Sequence, residues 1–416
     1  MDLVHDFTSF AIWSSSNLHR AVQELNAHAG RVVRTSLLYT TSPQYVTDQP
    51  QFLNAVLELS TSLSAVDLLL CFKDIEVRVG RVLGTLRYGP RVLDVDILFY
   101  GTHIVHATTA VGPLIIPHAL LHERDFVLRP LLDLAAGNIN AIYKTIRTLH
   151  AALPVPTNPP IPVLSLGPHD LLWPLHTKTY VMGIVNATPD SFSGDGVGVD
   201  VKAALAAATA MVDQGADMLD IGGESTKPHA PVVSIDDEIA RVVPVLRAIR
   251  RAFPLLPLSI DTTKARVAAA AIEAGANMVN DVSGATADSN MLATVAAAQV
   301  PTYNDVVADV IAELTSSLDA AMAAGIPTWH VVADPGIGFA KGLAENVTLL
   351  RHVSKLKAAW APCTLCGKPN PADRGNATAG TCAAAVAGGA DVVRVHDVAV
   401  CVDVCKVSDA IWRMGV

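Results

Sequence analysis

Asp94 and Asp96, two residues apart in the run RYGPRVLDVDILFYG (87–101), are the first pair of side chains able to do chemistry. On a β-strand, residues i and i+2 project from one face, so both carboxylates point the same way and are spaced to share a pair of Mg²⁺ ions. Arg87 and Arg91 lie just upstream, and IPHALLHERDFVLRPL downstream adds His118, Arg124 and Phe126. A lone D-x-D reads as a solvated strand edge; with basic neighbours it reads as a phosphate site.

A second constellation runs through the C-terminal half, where apolar runs repeatedly stop at polar residues. VMGIVN ends in Asn186, MLDIGG opens into Gly222–Pro228, PLSIDT carries Asp261, MVNDVSG carries Asn280 and Asp281, WHVVADPG carries Asp334, and VVRVHDV carries Arg394, His396 and Asp397. One Asn or Asp in such a place is a helix cap; six such termini point to a shared rim. Arg394, His396, Thr226 and Lys227, with backbone N–H groups around Gly222 and Gly223, suit an anion such as pyrophosphate. Asp261, Asn280 and Asp334 offer acceptors and one amide, which suits a flat, nitrogen-rich heterocycle.

The elements that must position these groups fall into two regions. Residues 1–150 mix strands (RVVRTSLLYTT, FLNAVLELS, VLDVDILFYG) with helical stretches around AVQELNAHAG and SAVDLLLCFKDIEVRVG, an α+β pattern. Residues 151–177 are rich in proline, which argues for a linker. From 178 to 416 strand and helix alternate, as in a (β/α)8 TIM-type barrel. Helical segments begin near Val201, Ile235, Lys264, Asn290, Asn304, Leu343, Arg374 and Val402, but only six strands are evident. The two gaps are QVPTY and APCTLCGKPNPAD, both poor material for a barrel wall, so the barrel is expected to be incomplete by two strands.

Composition narrows the class. The 416 residues suit two domains with cores of their own, and no apolar run approaches the length of a membrane span. A net charge of −9 argues against a nucleic-acid surface. Six cysteines without framework spacing read as buried thiols, and the single Cys363–Cys366 pair lacks the partners a zinc site needs. MDLVHDFTSF carries two acids and no Lys or Arg, so a cytoplasmic location is expected, with the mitochondrion as the alternative.

Together MGIVNATPDSFSGDG, DIGGESTKP, SIDT, NDVSG, DPGIGFAK and VRVHDV resemble dihydropteroate synthase from about Lys178 to Val416. The resemblance implies that Asn186 helps bind Mg²⁺ and pyrophosphate, that Thr226, Arg394 and His396 hold the same anion, that Asp261, Asn280 and Asp334 bind the pterin, and that Pro228 and Phe339 face p-aminobenzoate. The Asp94–Asp96 region, with YTTSPQYVTDQPQFLNAVLEL, resembles hydroxymethyldihydropterin pyrophosphokinase from about Thr8 to Leu149. That resemblance implies a ferredoxin-like α+β domain in which Asp94 and Asp96 hold two Mg²⁺ ions bridging ATP. The same resemblance implies that Arg91, His118 and Arg124 bind its phosphates and that Phe52, Asn54, Tyr88 and Phe126 hold the pterin. The expected cofactors are therefore Mg²⁺ and ATP.

The expected partners are the pterin substrates, ATP and p-aminobenzoate, with a homodimer through the barrel domain and neither nucleic acid nor membrane. Where the synthase pattern has a His-Met-Arg-Gly strand this chain has QVPTY, and APCTLCGKPNPAD replaces a strand and Ser-Arg-Lys loop. Lys227 stands where the pattern has Arg, and Leu83 where the kinase has a basic residue. These departures leave a noncatalytic pterin-binding protein of the same family as the alternative.

Overall fold

The computed structural model describes residues 4–12, 15–42, 51–82, 92–134, 141–166, 171–188, 200–224, 232–298, 302–304, 317, 319–334 and 375–413. The chain divides into two units, Met1–Pro174 with Pro327–Trp329, and Leu175–Ile326 with His330–Val416.

The first unit is built on an antiparallel sheet. β1 (Val4–Ile12) leads into α1 (Ser15–His28); β2 (Arg31–Thr35) and β3 (Leu38–Thr41) precede β4 (Phe52–Thr61); α2 (Ala65–Val79) leads into β5 (Leu93–Tyr100). The order β5-β1-β4-β3, with every pairing antiparallel, is the arrangement of a βαββαβ, ferredoxin-like sheet. β6 (Val105–Thr109) and β7 (Gly112–Ile116) form a separate hairpin, followed by α3 (Asp125–Leu134) and α4 (Ala141–Ala152).

Alternation along the strands assigns their faces. Leu53, Ala55, Leu57, Leu93, Val95 and Ile97 pack with Leu18, Leu68, Phe72 and Ile75 from α1 and α2. Val56 and Leu98 pack with Val127, Leu128 and Leu131 of α3 on the other side. α2 starts where Ser64 accepts from the Asp67 N–H, and stops at Gly80, whose φ of +119° is left-handed and favours glycine.

The proline-rich stretch is not wholly a linker. β8 (Ile161–Ser165) pairs antiparallel with β3, and β9 (Leu172–Pro174) pairs with β8, extending the first sheet. Buried Val163, Leu164 and Trp173 drive this pairing. The prolines within the strands, Pro162 and Pro174, lie near the start of one and at the end of the peripheral other, where a missing N–H is tolerated.

The second unit is a parallel sheet. Its strands are β10 (Tyr180–Asn186), β11 (Met218–Gly222), β12 (Leu258–Asp261), β13 (Met278–Asn280), β14 (Thr302–Asn304), β15 (Val331–Ala333) and β16 (Val392–Val395). They lie in the order β15-β14-β13-β12-β11-β10-β16. α5 (Val201–Asp213), α6 (Ile235–Ala252), α7 (Ala265–Glu273) and α8 (Met291–Ala298) follow the first four strands, and α9 (Gly375–Ala387) and α10 (Val398–Trp412) flank β16.

β14 corrects the expectation that QVPTY supplies no strand. Three residues suffice because β13 and β15 pair with them from both sides. Asn304, near which a helix is expected to begin, is the last residue of this strand; residues 305–316 lie outside the described residues, and helix is present at 317 and 319–323. Among the described residues the sheet is a curled arc of seven parallel strands, open between β15 and β16. The second expected gap and the helix near Leu343 lie outside the described residues.

Candidate active site

Parallel register sets the barrel site. Asn186 pairs with Gly222, Gly222 with Asp261, and Asp261 with Asn280, so these four strand-end residues form one row. Val181, Val185, Leu219, Ile221, Leu258, Ile260, Val279, Val393 and Val395 pack outward against the helices. Alternation therefore turns Asn186, Asp220, Gly222, Asp261, Asn280 and Arg394 to the opposite, inner face.

On that face one guanidinium serves two acids. Arg394 donates from Nε to Asp220 Oδ2 at 2.6 Å and from Nη2 to Asp261 Oδ2 at 2.7 Å. Asn280 Nδ2 donates to the same Asp220 oxygen at 3.0 Å. Burial opposes the charge on Arg394, but Asp220 and Asp261 outweigh it and hold the guanidinium protonated, with Asp334 adding to the effect. Burial pushes the Asp261 carboxyl up to about 7; Arg394 opposes the rise, and Asp220, Asp281 and Glu238 reinforce it. One positive charge cannot neutralise two carboxylates, and Asp261 is the one that yields. Asp281 is not part of this set: its Oδ1 accepts from Ser283 N and Oγ, holding the turn after β13.

Asn186 and Asp334 are half-buried beside their strand ends, and His396 is exposed two residues after Arg394. Gly223 fits because a Cβ there would meet Val242 Cγ1 at 2.7 Å and Glu238 Cγ at 2.8 Å. Glu224 Oε1 accepts from Val233 N, and its Oε2 accepts from Lys264 Nζ, which also donates to buried Glu238 at 2.5 Å. Lys264 thus braces the described ends of a segment whose interior holds Thr226, Lys227 and Pro228. Those three residues and Phe339 lie outside the described residues.

In the first unit the register again gathers the candidates. Ala11 pairs with Asn54 on one side and Asp94 on the other, while Ser9 pairs with Asp96. Phe52, Asn54, Asp94 and Asp96 therefore share the face that α3 covers. Asn54 is buried and donates to Thr41 Oγ1 at 2.6 Å. Asp96 Oδ2 lies 3.6 Å from Arg124 Nη1 and 3.9 Å from His118 Nε2, and Arg124 stacks over the Phe126 ring at 5.6 Å. The Leu120 N–H donates to His118 Nδ1, which directs the imidazole's own N–H, at Nε2, toward Asp96. Burial lowers the His118 pKa, against the pull of Asp96. Arg87, Tyr88 and Arg91 lie outside the described residues.

Asp94 has partners that the motifs did not reveal. Its Oδ1 accepts from Arg81 Nη1 at 2.8 Å, with Lys73 Nζ at 4.0 Å. Buried Glu76 accepts from both Lys73 and Arg81 and from the Val95 N–H. Burial raises its pKa while Lys73 opposes the rise. Nothing in the spacing of DIEVRVGR announces this brace, because it depends on α2 lying against β5. Asp220 had a usable signal: it is the acid two residues before Gly222, on the same face of an apolar strand.

Among the described residues, no group of three or more His, Cys, Asp or Glu is placed to hold a metal ion. Asp94 and Asp96 still fit Mg²⁺, which takes one or two carboxylates and completes its shell with phosphate oxygens and water.

A ferredoxin-like sheet with paired strand carboxylates, followed by a parallel βα sheet with an ionic inner face, defines a two-domain α/β protein with a candidate site on each sheet. Residues 182–396 match the family of pterin binding enzymes, and residues 11–136 match 7,8-dihydro-6-hydroxymethylpterin-pyrophosphokinase. A mitochondrial folate synthesis bifunctional protein of Arabidopsis thaliana is 36% identical over 455 residues, covering 96% of this chain and 81% of its own. A dihydropteroate synthase of Synechocystis is 40% identical over 61% of this chain and 96% of its own. The fold matches a Plasmodium falciparum HPPK-DHPS, solved with pterin and p-hydroxybenzoate, at a TM-score of 0.79 and 19% identity, covering 99% and 96% of the two chains.

The chain belongs to the bifunctional hydroxymethyldihydropterin pyrophosphokinase–dihydropteroate synthase family. It is a transferase of folate biosynthesis with both activities, and the noncatalytic alternative is not favoured. The Arabidopsis alignment is longer than the 416-residue chain, so that relative carries residues that this chain lacks.

Proposed function

We propose that the two sites work in succession on one pterin. In the first unit, ATP and the hydroxymethyl pterin lie on the face shared by Phe52, Asn54, Asp94 and Asp96. His118, Arg124, Arg87 and Arg91 bind phosphate, and Tyr88 and Phe126 stack on the ring. Mg²⁺ bound by Asp94 and Asp96 would offset phosphate charge during pyrophosphoryl transfer. The protein's own share is positioning: Glu76 holds Lys73 and Arg81 beside Asp94, and Arg124 stands between Asp96 and the Phe126 ring.

In the barrel, Asp261, Asn280 and Asp334 hold the pterin, and Arg394, His396, Thr226, Lys227 and Asn186 receive the pyrophosphate, with Asn186 also a ligand for Mg²⁺. Pro228 and Phe339 face p-aminobenzoate. The C–O bond to pyrophosphate breaks, the aniline nitrogen forms a C–N bond to the methylene carbon and then sheds its proton. With Asp261 ionised, Asp220 and Asp261 outnumber Arg394 on the inner face, and that form of the site favours the positive charge that develops on the pterin side. The shared grip of Arg394 on Asp220 and Asp261 is the observation that carries this reading.

A homodimer through the barrel domain draws support from α10, where Val400, Val407, Ile411 and Trp412 are exposed. Neither nucleic acid nor membrane is proposed as a partner; among the described residues no helix is long and apolar enough to cross a membrane. The decisive experiment supplies 6-hydroxymethyl-dihydropterin, ATP, Mg²⁺ and p-aminobenzoate and measures AMP and dihydropteroate separately. Both products are expected; AMP without dihydropteroate would overturn the barrel assignment.

A further inference from the structure

One carboxylate stands behind the groups assigned to the pterin. Asp220 is fully buried in β11, and its Oδ2 accepts from Arg394 Nε at 2.6 Å and from Asn280 Nδ2 at 3.0 Å. Its Oδ1, also buried, has no hydrogen-bond partner. A carboxylate serving only to bind β11 to β16 and β13 would gain by satisfying both oxygens or by being apolar, so its retention in this form points to the site rather than the wall.

A carboxylate in an ion pair only accepts, so the Asn280 amide must turn its NH2 toward Asp220 and its Oδ1 away. An unconstrained amide can present its oxygen or its NH2 at a given place; here one N–H is committed to Asp220, so the place of the Oδ1 acceptor is fixed. Arg394 is fixed at two edges in the same way, Nε to Asp220 and Nη2 to Asp261, which sets the plane of the guanidinium.

We propose that Asp220 is a positioning residue that sets the donor–acceptor polarity of the pterin pocket: it fixes which end of the Asn280 amide is the acceptor and holds Arg394 in plane, so that a ring edge presenting an N–H donor to Asn280 Oδ1 is selected. The proposal rests on the reading that Asn280 and Asp261 hold the pterin. It explains why an acid lies two residues below the rim, out of a substrate's reach. A site built around a hydrogen bond rejects analogues that lack the matching group far more strongly than an apolar pocket does.

The test uses the full chain with Asp220→Asn, in which residue 220 can donate as well as accept and Asn280 is free to turn over. Dissociation constants are measured for 7,8-dihydropterin and for two analogues that each lose one ring-edge donor, the fully oxidised pterin and the 2-desamino compound. The unaltered enzyme is expected to disfavour at least one analogue by about tenfold or more, and the variant to bring that ratio toward one. KM for the pterin pyrophosphate is expected to rise about tenfold while KM for p-aminobenzoate stays within about twofold.

An unchanged ratio in a folded variant overturns the proposal, however weak binding has become, as does an unaltered enzyme that discriminates against neither analogue. Should Asp220→Asn fail to fold, the Asn280 side-chain amide is followed by NMR in the unaltered protein. Its hydrogens are expected to resist solvent exchange with and without dihydropterin, and rapid exchange overturns the proposal. Asn280→Ala separates the two readings. If it leaves dihydropterin binding intact, the pterin-site assignment fails; if it weakens binding while the Asp220→Asn ratio holds, only the present inference fails.

Discussion

The two units each set a pair of acids against arginine, but at different depths. Asp94 and Asp96 expose 25% and 37% of their side chains, whereas Asp220 and Asp261 expose 0% and 15%. Ion pairs near solvent contribute about 0–1 kcal/mol, so Arg81 and Arg124 can yield their carboxylates to other cations. Breaking a buried pair costs about 3–5 kcal/mol, so Arg394 keeps its acids in one geometry. The first unit is arranged for exchange of charge partners and the second for fixed orientation.

The strongest way to break this contrast is Arg394→Ala, which strands two inward carboxylates. Urea unfolding of the barrel is expected to show a loss of about 3–5 kcal/mol, and dihydropteroate formation to fall by about a thousandfold. A variant of near-native stability would mean that the inner pair is as loose as the outer one. Asp96→Ala is expected to cut AMP formation by about a hundredfold or more while leaving stability within about 1 kcal/mol. Dihydropteroate formation from supplied pterin pyrophosphate should be unaffected, and its collapse would contradict two separable sites.

A pH series sharpens the comparison. The Asp261 carboxyl is raised to about 7, above its unfolded value, so the native barrel holds a proton that the unfolded chain releases. Its contribution to stability therefore declines as pH rises from about 4 to about 7 and is level above that. The ionised form is the better acceptor for a ring N–H, so KM for the pterin pyrophosphate is expected to fall as pH passes upward through about 7. Asp261→Asn should flatten that limb; a persisting inflection would assign it to another group. The smallest effect is expected from Lys73→Met. Lys73 is partly exposed, and Glu76 keeps Arg81 and the Val95 N–H, so unfolding should shift by no more than about 1 kcal/mol. A loss of several kcal/mol would show the first site to be as rigid as the barrel.

Much of this was legible in order along the chain. Period-two alternation in LDVDILFY and apolar runs ending at Asn186, Asp261 and Asn280 gave the strands and their polar ends, because a buried strand must stop before its side chains can meet a substrate. Short and proline-flanked strands were not legible. Thr302–Asn304 is held by pairing on both sides, and Ile161–Ser165 by the sheet of the first unit, and neither influence leaves a local mark. Asp220, Lys264, Glu76 and Arg81 were also missed as participants, since each acts through a partner on another element.

By itself the sequence determined which residue types stand at the strand ends, and hence a site for a nitrogen-rich ring and an anion. Tertiary structure alone decided how they combine. Arg394 reaches Asp220 and Asp261 across 174 and 133 residues of chain, and Asp220 then turns the Asn280 amide. Composition and periodicity report faces and ends; the register of parallel strands decides which ends meet, and burial decides which of the acids that meet must give up its charge.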